Sequence, residues 1–193
     1  MRFRALLLIP LCLVVMGAKK AKKTASPAPT ISIAATASVL SSAPTADGLT
    51  EEHVDLNGDG VGEVTNYWRD RAGAERLLVH KDTDLNHDSK VDVRASFEDG
   101  LRVTEEMDGD FDGRTDWVDH YISGKRSYSE IDTDWNGTFD LFKYYETGRV
   151  RRKERDTNAD GRVDFWEYLD DQGNVVKTGK DNDGDGKMDV RDQ

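Results

Sequence analysis

Six stretches of the chain set oxygen-bearing side chains two residues apart, followed by a turn residue and a further acid: Asp55, Asn57, Asp59 and Glu63; Asp84, Asn86, Asp88 and Asp92; Asp108, Asp110, Asp112 and Asp116; Asp132, Asp134, Asn136 and Asp140; Asp156, Asn158, Asp160 and Asp164; Asp181, Asp183, Asp185 and Asp189. Each fits D-x-[DN]-x-[DN]-G-x-x-[DE], except that Ser89 replaces the glycine of the second copy. Hard oxygens gathered around one point suit Ca2+, which takes six to eight of them at roughly 2.3–2.6 Å. The backbone carbonyl of the seventh residue (Val61, Lys90, Arg114, Thr138, Arg162, Lys187) adds a fifth protein ligand and water completes the shell. Affinities in the range of extracellular calcium modules, on the order of 10⁻⁴–10⁻³ M, follow from such a set. The third copy, with four carboxylates, should bind more tightly than the fourth, where Asn136 replaces one.

The stretch DTNADGRVDFWEYL, beginning at Asp156, looks like an EF-hand loop entering its exit helix, with Glu167 as the twelfth-position carboxylate. The repeat excludes that. The six first-position aspartates are 29, 24, 24, 24 and 25 residues apart. After a nine-residue loop, such a spacing leaves no room for an exit helix, a linker and an entry helix. The twelfth positions are Asn66, Ala95, Asp119, Lys143, Glu167 and Asp192, so one copy alone has the glutamate an EF-hand needs.

What must position the loops is legible in the spacers. Gly73, Gly100, Gly124, Gly148 and Gly173 sit near their middles among turn formers, a hairpin signal. Val64, Val93, Trp117, Leu141 and Phe165 lie four residues before Trp68, Phe97, Tyr121, Tyr145 and Leu169, which puts both columns on one face of a strand. The other face carries Arg94, Val118, Phe142 and Trp166 in one column and Tyr67, Ser96, His120, Tyr144 and Tyr168 in another. The predicted fold is all-β: tandem hairpins of about 24 residues in an antiparallel meander of about ten strands, glycine turns on one rim and calcium loops on the other. Whether the sheet stays open or closes is not set by the pattern, because both faces are partly apolar. Asp82, Glu106, Glu130 and Glu154 stand two residues ahead of the middle loops and fit either a further ligand or a solvated strand-end acid.

Residues 1–18 have the order of a secretory signal peptide, with Arg2 and Arg4, an apolar run, then Gly17 and Ala18. A retained anchor is disfavoured by the short run and Pro10, and a lipid on Cys12 by Leu11 and Pro10 before it. Cleavage would leave no cysteine, so disulfides cannot staple the mature chain. Residues 19–48, rich in Ala, Ser, Thr and Pro, read as a flexible linker, and 49–193 as the six-loop domain. The formal net charge is −11, and because residues 1–48 hold six Lys and Arg but a single acid, Asp47, the chain from Leu49 onward carries −16, which excludes nucleic acid as a partner. The expected location is secreted, periplasmic or on the cell surface.

From its loops, the chain resembles bacterial exported proteins with tandem DxDxDG calcium-loop repeats, a motif shared locally with dockerins, thrombospondin type 3 repeats and integrin-type repeats. Cysteines, period and helix content separate it from those three folds. The 24-residue hairpin rhythm is similar to membrane-occupation-and-recognition-nexus repeats and implies an elongated hairpin array. His53, His80, His87 and His120 form no zinc or catalytic spacing. The sequence therefore points to a non-catalytic, calcium-stabilised structural or adhesive module with calcium and an envelope polysaccharide or a protein as partners. The alternative is a dockerin-like scaffold for one protein, with Trp117, Trp135, Trp166 and the tyrosines as its patch.

Overall fold

The computed structural model describes residues 37–192, so the expected signal peptide and most of the expected linker lie outside the described residues. The described residues are strand and turn, without a helix among them. The strands are β1 (Ser38–Pro44), β2 (Thr50–Asp55), β3 (Val64–Arg69), β4 (Leu77–Thr83), β5 (Val93–Glu98), β6 (Leu101–Met107), β7 (Trp117–Ile122), β8 (Lys125–Ile131), β9 (Leu141–Glu146), β10 (Arg149–Arg155), β11 (Phe165–Leu169), β12 (Val175–Lys180) and β13 (Val190–Asp192). They form one 13-stranded antiparallel sheet in sequence order, open at β1 and β13. Among the described residues no helix is long and apolar enough to cross a membrane.

The five spacers supply the ten strands β3 to β12, while β2, β13 and β1 extend the sheet beyond them. β1 falls within the stretch read from composition as a linker, and that expectation is corrected for Ser38–Pro44. The chain turns through Thr45 to Gly48, where Thr45 and Leu49 exchange backbone and hydroxyl hydrogen bonds, and pairs Pro44 with Thr50 and Ser42 with Glu52. All seven β1 residues are exposed, so backbone pairing rather than burial holds this edge. A composition argument weighs burial and misses such a strand.

Cross-strand register arranges one face in three rows. Nearest the loops run Val54, Val64, Thr83, Val93, Met107, Trp117, Ile131 and Leu141, of which Val64, Ile131 and Leu141 are buried. The middle row is polar apart from the buried Ala95: Glu52, Asn66, Lys81, Ala95, Glu105, Asp119, Ser129, Lys143, Lys153 and Glu167. Nearest the turns, arginines alternate with aromatics. Arg76 covers Trp68 and pairs with Glu52 at 2.6 Å. Arg102 lies between Phe97 and Tyr121 and pairs with Glu105 at 2.5 Å. Arg126 lies between Tyr121 and Tyr145 and pairs with Asp119 at 2.8 Å. Asp119 also accepts from Trp117 Nε1 at 2.8 Å and from Ser129 Oγ at 2.5 Å, so this buried acid is fully partnered. A single-layer sheet lacks a second layer to cover its apolar rows, and stacked arginines with paired acids do part of that covering.

On the opposite face a ladder runs from His120 to Tyr128 (5.4 Å between ring centroids), Tyr144 (4.9 Å) and the Arg152 guanidinium, 3.8 Å from the Tyr144 ring. The expected columns of both faces thus lie on alternate strands, and side chains of the strands between them, Arg102, Arg126 and Tyr128, bridge one column residue to the next.

Three of the hairpins close with two-residue turns in which both residues have positive φ: Asp99 and Gly100, Ser123 and Gly124, Thr147 and Gly148. Such turns match the right-handed strand twist. Beyond each turn the second strand carries one extra residue, as at Val103 between Arg102 and Thr104, and this bulge recurs in all five hairpins. The longer repeat intervals are absorbed on the turn rim, where residues 70–76 join β3 to β4 and residues 170–174 join β11 to β12.

Candidate metal centres

Because strands follow one another in the sheet, every link from an even strand to the next odd strand falls on the same rim, and these links are the six acidic loops. Each is built around its first aspartate. The carboxylate accepts backbone N–H groups from the fourth and sixth residues at 2.6–2.9 Å: Gly58 and Gly60 on Asp55, His87 and Ser89 on Asp84, Phe111 and Gly113 on Asp108, Trp135 and Gly137 on Asp132, Ala159 and Gly161 on Asp156, Gly184 and Gly186 on Asp181. The Gly60 and Gly58 donors hold the Asp55 carboxyl below its usual value. Fifth residues accept from the seventh N–H, and ninth-position acids accept from the second N–H. Such turns are what short Asx side chains provide locally.

Left-handed backbone is needed at the sixth position, which explains its glycines, and also at the fourth, where His87, Phe111, Trp135 and Ala159 have φ of 59–66°. The fourth-position requirement has no sequence signal, because four of the six copies place a side chain there.

Two loops already draw three acids together. Asp108, Asp110 and Asp116 offer carboxylate oxygens all within 4.8 Å of one another, and so do Asp181, Asp183 and Asp189. Burial pushes the Asp116 carboxyl above its usual value, with Asp110 and Asp108 adding repulsion. A dication placed there would remove that cost, so the donor set fits calcium. In the fourth and fifth loops the ninth acid turns elsewhere: Thr133 Oγ1 donates to Asp140 at 2.5 Å and Thr157 Oγ1 to Asp164 at 2.8 Å. In the first loop Asp59 and Glu63 come together with His87 of the second. Asp84, Asn86, Asp88 and Asp92 keep the same hydrogen-bonded loop form without such a three-acid cluster among the described residues.

Three of the four strand-end acids pair with side chains on the sheet. Asp82 pairs with Arg94 at 3.1 Å, Glu130 with His120 at 2.8 Å, and Glu154 with Tyr144 and Arg152 at 3.0 and 3.1 Å. Glu167 lies on β11, 3.6 Å from Lys153, and takes no part in its loop. Neighbouring loops touch as well. The first-position N–H of each loop after the first donates to the ninth-position carbonyl of the loop before it at 2.8–3.0 Å, as in Asp84 to Glu63 and Asp108 to Asp92. Trp135, half exposed, lays its ring over Gly109 of the preceding loop.

No family model matches the chain, and no curated protein matches it. Among solved structures, accessory secretory proteins 1, 2 and 3 of Streptococcus pneumoniae give a TM-score of 0.37 at 18% identity, over 46% of this chain and 17% of that one. A mutant of S. aureus TarM in complex with Fondaparinux, alpha-GlcNAc-glycerol and UDP gives 0.34 at 10% identity, over 62% and 20%. The chain spans a fifth or less of the length of either matched structure, and likenesses this low carry no inference.

Proposed function

We propose that this chain is an exported, non-catalytic calcium-binding repeat protein whose loop rim holds calcium and thereby stabilises a structural or adhesive module. The observation that carries it is the convergence of Asp108, Asp110 and Asp116, and of Asp181, Asp183 and Asp189, at equivalent places in a six-fold loop pattern. In each loop the side chains at positions one, three, five and nine and the seventh carbonyl would hold the ion, which supplies positive charge to a crowded acidic rim. The non-catalytic reading is supported by His53, His80 and His120, each of which engages a ring nitrogen with a sheet-face partner, Glu51, Ser96 and Glu130 respectively. Calcium titration by calorimetry tests the reading: saturable uptake of up to six ions is expected, and no saturable uptake at millimolar calcium would overturn it.

The scaffold alternative draws support from Phe111 and Trp135, 41% and 51% exposed on the loop rim, whereas Trp166 is buried in the sheet. Aromatic anchors of that kind suit a protein partner. A pull-down with calcium and with chelator distinguishes the two, since a scaffold retains one partner stoichiometrically only with calcium.

A further inference from the structure

Two exceptions to the loop pattern face each other. Glu63 is the one glutamate among six ninth-position acids, and His87 is the one histidine among six fourth-position residues, the others being Gly58, Phe111, Trp135, Ala159 and Gly184. They belong to successive loops, and His87 Nδ1 lies 3.7 Å from Glu63 Oε1. Asp59 joins them, one donor atom from each residue lying within 4.8 Å of the other two. We propose that the junction of the first and second loops is a site for a borderline transition-metal dication such as zinc, ligated by Asp59, Glu63 and His87.

The loop backbone aims the fourth residue at the preceding loop. His87 and Trp135 share φ of 62° and 63°, and Trp135 covers Gly109 of the loop before it just as His87 meets Glu63. The longer glutamate side chain carries its carboxylate out to that ring. Glu63 is 6% exposed, and its Oε2 is fixed by the Leu56 N–H at 2.7 Å while Oε1 lies toward His87, on the amide of Asn57. Two ligands at about 2.0–2.1 Å from a tetrahedral metal lie roughly 3.4 Å apart, so closing 3.7 Å takes a shift of a few tenths of an ångström. Imidazole nitrogen with carboxylates suits zinc, whereas calcium and magnesium take oxygen alone. The inference rests on reading these loops as metal sites but assigns this one a different ion.

The test is a zinc titration of the full chain in saturating calcium, repeated in calcium-free buffer, with cobalt(II) absorption as a second readout. One zinc per chain is expected. His87→Gln and Glu63→Asp, the latter restoring the residue of the other loops, should each weaken zinc by about tenfold or more. Neither should alter the strand signal in circular dichroism or calcium uptake at the third and sixth loops. His53→Gln, His80→Gln and His120→Gln should leave zinc binding unchanged. Zinc uptake insensitive to His87→Gln, or absent in both buffers, would overturn the proposal. Loss of calcium uptake at every loop with zinc binding intact would instead overturn the calcium reading alone.

Discussion

At the scale of single residues, Thr133 Oγ1 donates to Asp140, the ninth-position acid of the fourth loop. The spacing marks Asp132, Asp134, Asn136 and Asp140 as a loop, yet nothing in it tells that Thr133 Oγ1 engages Asp140. Thr133→Val should free that carboxylate and raise calcium affinity at the fourth loop several-fold, read by terbium luminescence sensitised through Trp135. An unchanged affinity would mean that the hydroxyl does not compete. The third loop, with no such hydroxyl at Gly109, should bind more tightly than the fourth, and Asp108→Asn should remove one calcium from the stoichiometry. Glu52 is buried on β2. Burial raises its carboxyl pKa, but hydrogen bonds from Arg76 and Trp68 outweigh burial and hold it below the ordinary 4.5. A carboxyl lowered in the fold stabilises it above the unfolded value, and that contribution disappears as pH falls through the folded value. Glu52→Gln should therefore cost about 1 kcal/mol at pH 7, discounted for the part-exposed Arg76, and its Tm deficit should shrink as pH falls below the ordinary carboxyl value of 4.5. A deficit constant down to pH 3 would contradict this.

Among elements, strands and turns were readable because glycine marks left-handed turns and apolar residues four apart mark a face. Bulges were not, since the extra residues Val79, Val103, Ser127, Arg151 and Val176 share no chemistry that announces a skipped pairing. Their position next to the turns adds local twist to every hairpin. Strand β1 escaped notice because its residues are exposed, although Asp47 and Gly48 mark the turn that returns it to β2. Gly148 tests the turn geometry: its φ is 80° and a Cβ would meet nothing within 4 Å, so the strain of a left-handed alanine acts alone. Gly148→Ala should destabilise the calcium-loaded protein by about 1–2 kcal/mol in urea denaturation. A neutral substitution would show that the turn can change type without loss.

On the scale of the whole molecule, one open layer with acids along a rim depends on its counterions. A site at tenfold excess of calcium over its Kd adds roughly 1.4 kcal/mol, and six such sites about 8 kcal/mol. That compares with roughly 5–15 kcal/mol for an ordinary domain. Chelator should therefore lower Tm steeply, with sodium chloride at matched ionic strength failing to restore it; equal Tm in calcium and in the salt control would reduce the loops to plain acidic turns. The 24-residue period also carries an arithmetic of parity. One repeat is two strands, so removing residues 108–131 joins Met107 to Asp132 with Met107 taking the place of Ile131 in its row. Every remaining loop stays on its rim and every side chain on its face, whereas the loss of one strand would invert both. Whole repeats are thus interchangeable units of length. The shortened chain should fold with one calcium fewer, and a lineage could lengthen or shorten this sheet by duplication or deletion in frame without redesigning any residue at the seam.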